Sequence, residues 1–193
     1  MPGGPFELVV RMAAMFDALR LPYALGGSMA SSLVGEPRST MDVDMAVRLD
    51  VASGEELLDR VSASFYVPMG AARTAIRART SFNLVDTTSA LKVDIFVLGD
   101  GLLDRMQLER RVLVEIPGAP AGIWITSAED QVLRKLDWFR QGGAVSDRQW
   151  RDVVGILRVH RDDVDRTYLE ASAGSLDLVG ELDEALRQAA VAQ

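Results

Sequence analysis

Residues 23–49 read YALGGSMASSLVGEPRSTMDVDMAVRL, and this stretch decides how the chain is interpreted. A short apolar run ends in Gly26-Gly27-Ser28. A brief helical pattern follows over 28–34, with Ser28 near its cap, and then a loop through Gly35, Pro37 and Ser39. Residues 41–49 then alternate as a strand, with Val43, Met45 and Val47 on one face. Residues two apart share a side of a strand, so Asp42 and Asp44 share the other face. An ordinary core strand has no need of two carboxylates side by side just after a glycine turn.

A second strand repeats the arrangement. In LKVDIFVL, residues 91–98, Leu91, Val93, Ile95 and Val97 form the apolar face, and Lys92 and Asp94 the other. Residues 81–86 pair with 90–98 across the turn DTTS. Placed beside the 41–49 strand, Asp94 joins Asp42 and Asp44, and three carboxylates and a lysine meet on one patch. Such carboxylates repel one another unless a cation neutralises them. Hard oxygen donors without His or Cys suit Mg²⁺ or Mn²⁺ rather than zinc. Two such ions suit the bridging of a nucleotide's phosphates and the activation of an attacking hydroxyl. The turn at Gly26, Gly27 and Ser28 supplies the complement: glycine lets backbone approach a phosphate, and the helix start offers free N–H groups and a positive dipole end. Neither motif is specific alone. Their order carries the reading: strand, Gly-Gly-Ser, helix, loop, Asp-x-Asp strand, and later a strand with a single Asp.

The rest of the chain sets bounds. Its 193 residues, 48% hydrophobic and 25% charged, suffice for one domain with a real core, with or without a helical appendage. Absence of cysteine excludes disulfides and thiolate chemistry. Glu7, Arg11 and Asp17 interrupt the N-terminal apolar residues, so no signal peptide is expected, and no stretch approaches the roughly 18 apolar residues of a membrane span. A cytoplasmic protein is expected. The net charge of −7 argues mildly against general nucleic-acid binding. Arg73, Arg77 and Arg79 nevertheless lie in an acid-free run, which reads as a solvated helix face or as an anion-binding one. The basic residues are 19 arginines and only two lysines, Lys92 and Lys135, which marks both as candidates for a role a planar guanidinium cannot fill. The single histidine, His160, is expected to be structural or solvated, and Trp124, Trp138 and Trp150 to serve packing.

Periodicity predicts helices over 6–20, 54–64, 71–77 and 102–109, and strands over 21–25, 65–68, 111–116 and 123–126. From residue 127 the pattern is helical: 128–141, 147–159 and two weaker helices. This suggests an α/β core over 1–126 and a C-terminal helical region over 127–193 packed on it.

At these residues the sequence resembles the nucleotidyltransferase superfamily that includes DNA polymerase β, whose signature is a Gly-Gly/Ser turn, then Asp-x-Asp, then a third carboxylate on a neighbouring strand. GGSMASSLVGEPRSTMDVD is similar to the longer-spaced version of the AbiEii-like bacterial branch, which ends in Arg-x-Thr-x-Asp-x-Asp. Thirteen residues separate Ser28 from Asp42, which fits that branch better than the minimal antitoxin-type enzymes. SFNLVDTTSALKVDIFV resembles the third-carboxylate hairpin of the same group, and TSAEDQVLRKLDWFRQGGAVSDRQWRDVVGIL the helical segment after it. The resemblance covers roughly residues 20–160.

It implies an α+β fold: a nucleotidyltransferase-type mixed β-sheet flanked by helices and followed by a C-terminal helical portion. The implied activity is metal-dependent transfer of a nucleoside monophosphate from an NTP to an acceptor hydroxyl. Gly27 and Ser28, next to Gly26, would hold the triphosphate. Asp42 and Asp44 would bind both Mg²⁺ or Mn²⁺ ions, and Asp94 would complete the catalytic metal site and help deprotonate the acceptor. Lys135 would contact the nucleotide's phosphates, and Arg140 and Asp152 fall at later motif positions. Arg38, Thr40 and Lys92 are further nucleotide-site candidates. Each has a plainer alternative: a loop arginine, a residue turning the loop before the strand, and a partner neutralising Asp94. For Lys135 the plainer reading is pairing with Glu129, Asp130 or Asp137. The implied acceptor is RNA or tRNA, in a toxin-like or defence role with a cognate antitoxin. Two other readings are an aminoglycoside-like small-molecule acceptor, and a catalytically inactive binding or partner module.

Overall fold

In the computed structural model, which describes residues 4–34, 40–116 and 118–191, the chain divides into two compact units. The first is Met1–Met29 with Ser39–Thr126, and the second is Ala30–Arg38 with Ser127–Gln193. Among the described residues no helix is long and apolar enough to cross a membrane.

The first unit contains α1 (Pro5–Ala18), β1 (Tyr23–Leu25), the start of α2 (Gly27–Val34), β2 (Val43–Val47), α3 (Val51–Val61), β3 (Phe65–Tyr66), α4 (Met69–Ala78), β4 (Ser81–Asp86), β5 (Lys92–Val97), α5 (Leu102–Glu109), β6 (Val112–Ile116) and β7 (Ala119–Ile125). Its strands form one mixed sheet in the order β3-β4-β5-β2-β1-β7-β6. β2 runs parallel to β5 and β1 parallel to β7, while the other pairs are antiparallel. The period-two pattern holds where it matters: Val43, Met45 and Val47 of β2 and Val93, Ile95 and Val97 of β5 are buried. α1 packs its apolar stripe, Leu8, Val9, Met12, Ala13 and Phe16, against this sheet.

Three of the boundaries that differ from the sequence expectation have a clear local reason. α3 starts at Val51, three residues early, because Asp50 and Ser53 form a reciprocal capping box, with Ser53 N–H donating to Asp50 Oδ1 at 2.8 Å and Asp50 N–H to Ser53 Oγ at 3.0 Å. β2 starts at Val43, so Asp42 stands just before the ladder, its N–H given to Thr40 Oγ1 at 3.3 Å. Such a side-chain acceptor competes with strand pairing. β7 starts at Ala119 in a Gly/Pro segment that reads as loop, where a register shift between Val114 and Ile116 absorbs the irregularity.

Asp86, at the end of β4, is 1% exposed and yet ionised. Burial pushes its pKa up, but Arg11 Nη2 at 2.7 Å from Oδ1, with the Ser89 hydroxyl and N–H on Oδ2, outweighs that and holds it down to about 2. A depressed folded pKa contributes stability above the unfolded value, about 3.9, which is lost as pH falls through the folded one. Unfolding free energy is therefore expected to drop between about pH 4 and pH 2 by about 1–2 kcal/mol from this group, a figure reduced because solvent reaches Arg11. Urea titrations across that range should show a steeper slope in the wild type than in Asp86→Asn, where the lowered pKa values of Asp50 and Glu55 still leave some slope.

The second unit holds the rest of α2 with α6 (Ala128–Gln141), α7 (Asp147–Val159), α8 (Arg166–Leu176) and α9 (Val179–Ala190). Ser127, Ser146 and Asp165 cap α6, α7 and α8 by accepting the N–H three residues on. α6 packs on α7 and α8, and both of those pack on α9, around Leu133, Leu136, Val153, Ile156, Leu169 and Leu182. α8 and α9 read weakly from sequence and form through this packing. His160 caps α7, its Nδ1 3.0 Å from Asp163 Oδ1. The Trp150 ring lies 5.0 Å from Phe139, and its Nε1–H bonds Gln188.

Candidate active site

β2 and β5 lie side by side in parallel register, with Asp44 directly opposite Asp94. The two carboxylates therefore leave the sheet on one face and at one level. Asp42 precedes Asp44 by two residues. Lys92, two residues before Asp94, puts Nζ 2.8 Å from Asp94 Oδ2. The Asp94 hydrogen bond raises the Lys92 pKa against the opposing cost of burial, and the charges of Asp94, Asp42 and Asp44 raise it further. All three carboxylates thus act on one cation. β4 adds Asn83, opposite Asp94 in the antiparallel ladder, a neighbour for which the sequence gives no distinct signal.

The glycine turn is built against the same strand. Gly26 N–H donates to the Asp44 carbonyl at 2.8 Å. Gly27 opens α2 at φ +60°, and a Cβ there would stand 1.8 Å from Asp44 Oδ2 and 2.5 Å from its Cγ. The Asp44 carboxylate is therefore laid on the Cα of Gly27. Both the left-handed backbone and the lack of space demand glycine. Ser28 is buried in the first turn of α2, the helix end whose N–H groups favour an anion.

Sequence reasoning missed what lies under this turn. Gln107 of α5 is buried and donates through Nε2 to Thr126 Oγ1 at 2.9 Å. The Thr126 hydroxyl and N–H both donate to the Leu25 carbonyl, one residue before the glycines. A Cβ on Gly26 would lie 3.6 Å from the Gln107 amide. The available signal was a glutamine beside Leu103 and Met106 on the buried side of α5. Gln107→Leu is expected to cost about 1 kcal/mol of stability. It should also loosen the glycine turn that rests on the Leu25 carbonyl. Denaturant unfolding and amide hydrogen exchange at Gly26 and Gly27 check the two parts.

Arg38 lies outside the described residues. Thr40 uses its hydroxyl to accept the Asp42 N–H, the loop-turning role. Lys135 belongs to the second unit and is 1% exposed, with Nζ 2.8 Å from Asp152 Oδ2 and 3.2 Å from Gln149 Oε1. Its partner Asp152 stands on α7, which α6 packs against. Arg140 bonds the Asp177 carbonyl. In the acid-free arginine run, Arg73 is chelated by Glu55 at 2.8–3.0 Å and Arg79 pairs with Asp100, so folding supplies the missing acids.

Among the described residues no three His, Cys, Asp or Glu side chains are gathered into a ready metal cage. The donor chemistry nonetheless fits Mg²⁺ or Mn²⁺: the oxygens are hard, and the patch already accommodates the Lys92 ammonium.

No family model matches the sequence, and no curated protein does. Solved structures do match. An antigenic nucleotidyltransferase-like protein from Paracoccidioides brasiliensis is similar with a TM-score of 0.58 over 95% of this chain and 92% of that one, at 18% identity. The antibiotic-resistance factor ANT(2'')-Ia is similar with a TM-score of 0.50 over 91% and 93%, at 12% identity. At such identities the likeness is one of fold: a nucleotidyltransferase-type α+β fold with a mixed sheet, flanking helices and a helical C-terminal part.

Proposed function

We propose that the chain transfers a nucleoside monophosphate from an NTP to an acceptor hydroxyl, releasing pyrophosphate. The observation that carries this is the seating of the Asp44 carboxylate on Gly27, beside Asp94. That contact puts a phosphate-type turn and a carboxylate pair within one side chain's length of each other. Gly27 and Ser28, at the start of α2, would receive the phosphates, while Gly26 ties the turn to β2 through the Asp44 carbonyl. Asp42, Asp44 and Asp94 would hold Mg²⁺ or Mn²⁺, which when bound neutralises phosphate charge and eases loss of the acceptor proton. Asp94 accepts that proton as the acceptor oxygen bonds the α-phosphorus and the bond from that phosphorus to the leaving pyrophosphate oxygen breaks. The turn and the strands hold these groups in line, and positioning supplies most of what phosphoryl transfer requires. Lys92 balances the carboxylates and takes up a phosphate oxygen as a substrate neighbour.

Following the AbiEii-like resemblance, the acceptor is RNA or tRNA, with a cognate antitoxin as partner. One observation favours a second reading, a small-molecule acceptor: the likeness to ANT(2'')-Ia, an antibiotic-resistance factor, extends over more than nine-tenths of each chain. A transfer assay separates them. Each α-labelled NTP is incubated in turn with Mg²⁺ and total RNA, total protein or a panel of hydroxyl-bearing antibiotics, using wild type and Asp42→Ala. Label in one pool that is lost in the variant establishes the activity and the acceptor class. No label anywhere, with no thermal stabilisation by NTP and Mg²⁺, overturns the reading in favour of an inactive partner module.

A further inference from the structure

At the opposite end of the same strands lies a cavity of about 410 Å³, within the range of small-ligand sites. β2 and β5 run from Asp44 and Asp94 to Arg48 and Leu98, four residues on, about 13 Å along the strand. β1 runs the other way, so Pro22 lies at this end and the glycine turn at the carboxylate end. The cavity is thus separate from the candidate active site. Its apolar lining includes Leu21, Leu49 and Leu98, all buried, and its charged lining is Arg20, Arg48 and Arg79 with Asp50 and Asp100.

Two features set the arginines apart from ordinary surface cations. Neither the Arg20 nor the Arg48 guanidinium has an ion-pair partner among the described residues, whereas Arg79 is paired with Asp100 and Asp50 is engaged in capping α3. Arg20 and Arg79 also adopt left-handed backbone, at φ 54° and 52°. Both follow helix ends, where glycine is the default because a Cβ is disfavoured there. Only five non-glycine residues among those described have positive φ, and two of them are this cavity's arginines. A cation near a helix C-terminus is favourable in itself. That accounts for charge after α1 and α4, but not for Arg48, which follows a strand.

We infer that this cavity is a second ligand site, for a small organic anion: one carboxylate or phosphate on an apolar body. Arg20 and Arg48 take the anionic group, with Arg79 drawn from Asp100 or bridging it, and Leu21, Leu49 and Leu98 cover the apolar part. Bound guanidinium–oxyanion pairs of this kind are charge-assisted and geometrically selective.

The test is calorimetric titration in EDTA with phenyl phosphate, benzoate and uncharged phenol, on wild type, Arg48→Gln, Arg20→Gly and Asp42→Asn. Phenyl phosphate or benzoate should bind the wild type and Asp42→Asn alike with sub-millimolar Kd, and the stronger of the two identifies the anionic group. Affinity should fall at least tenfold in Arg48→Gln and Arg20→Gly, and phenol should bind far more weakly. Arg20→Gly should at the same time raise Tm, since it removes the left-handed side chain. Affinity unaffected by either arginine, binding lost in Asp42→Asn, no binding of either anion, or a lowered Tm in Arg20→Gly would each overturn the proposal. Transfer activity is read separately, so failure here leaves the proposed catalytic reading standing, and the reverse also holds.

Discussion

Gly27→Ala is expected to destabilise the first unit by about 2–4 kcal/mol and to abolish nucleotide binding, while Gly26→Ala is expected to cost less than about 1 kcal/mol. The two glycines are adjacent, and composition alone gives no reason to separate them. The structure does. At Gly27 the backbone has φ +60°, which penalises any side chain, and a Cβ would intrude to 1.8 Å from Asp44 Oδ2 and 2.7 Å from its Cβ. The Asp44 side chain cannot yield freely, because β2 is paired on both sides, with β1 and β5. Alanine at 27 must therefore either twist the turn or drive the carboxylate off the site. At Gly26 the nearest atoms to a Cβ are Gln107 Nε2 at 3.6 Å and the Asp44 carbonyl at 3.8 Å, ordinary contacts. Equilibrium unfolding and NTP-dependent thermal shift of the two variants check this. Equal tolerance at both positions would show that the turn is not pressed against Asp44 and would remove the main support for a phosphate site there.

Much of this arrangement was legible in sequence because it rests on short-range rules. Period-two alternation around Val43, Met45 and Val47, and around Val93, Ile95 and Val97, places Asp44 and Asp94 on the solvent side whatever the topology. The helical stripe of α1 and the serine caps of α6 and α7 are equally local. What sequence did not supply is what depends on tertiary placement. The hairpin β4–β5 follows from its turn, and the family resemblance puts β5 beside β2, but the parallel register that brings Asp44 level with Asp94 joins residues fifty apart. The Gln107–Thr126–Leu25 chain beneath the glycines links three elements, and Gln107 alone looks like a polar intrusion in an apolar stripe. The partners in the acid-free arginine run are hidden for the same reason: Glu55 and Asp100 reach Arg73 and Arg79 from α3 and from the loop after β5. Lys135 was singled out by its rarity, and its partner Asp152 was known only as a separate motif position until α7 was seen packed on α6.

The alternation around Asp42 and Val43 yields the other large effect, because two neighbouring residues should fail in opposite ways. Asp42→Asn removes one of the three carboxylate charges that act on Lys92. Mutual repulsion falls, so stability should stay level or rise slightly, while transfer should drop by at least about 10³-fold, roughly 4 kcal/mol of barrier. Val43→Asp does the reverse. Val43 is 0% exposed on the core face of β2, where an unpaired carboxylate should cost about 4 kcal/mol or more and leave little folded protein. Far-UV circular dichroism and urea unfolding read the folding arm, and the labelled-NTP assay reads the catalytic one. An Asp42→Asn protein that unfolds would make Asp42 a structural residue holding the loop turned by Thr40, and the carboxylate face would lose its claim to chemistry. An Asp42→Asn protein that folds and still transfers at the wild-type rate would shift the chemistry to Asp44 and Asp94, whose in-register pairing does not depend on that loop.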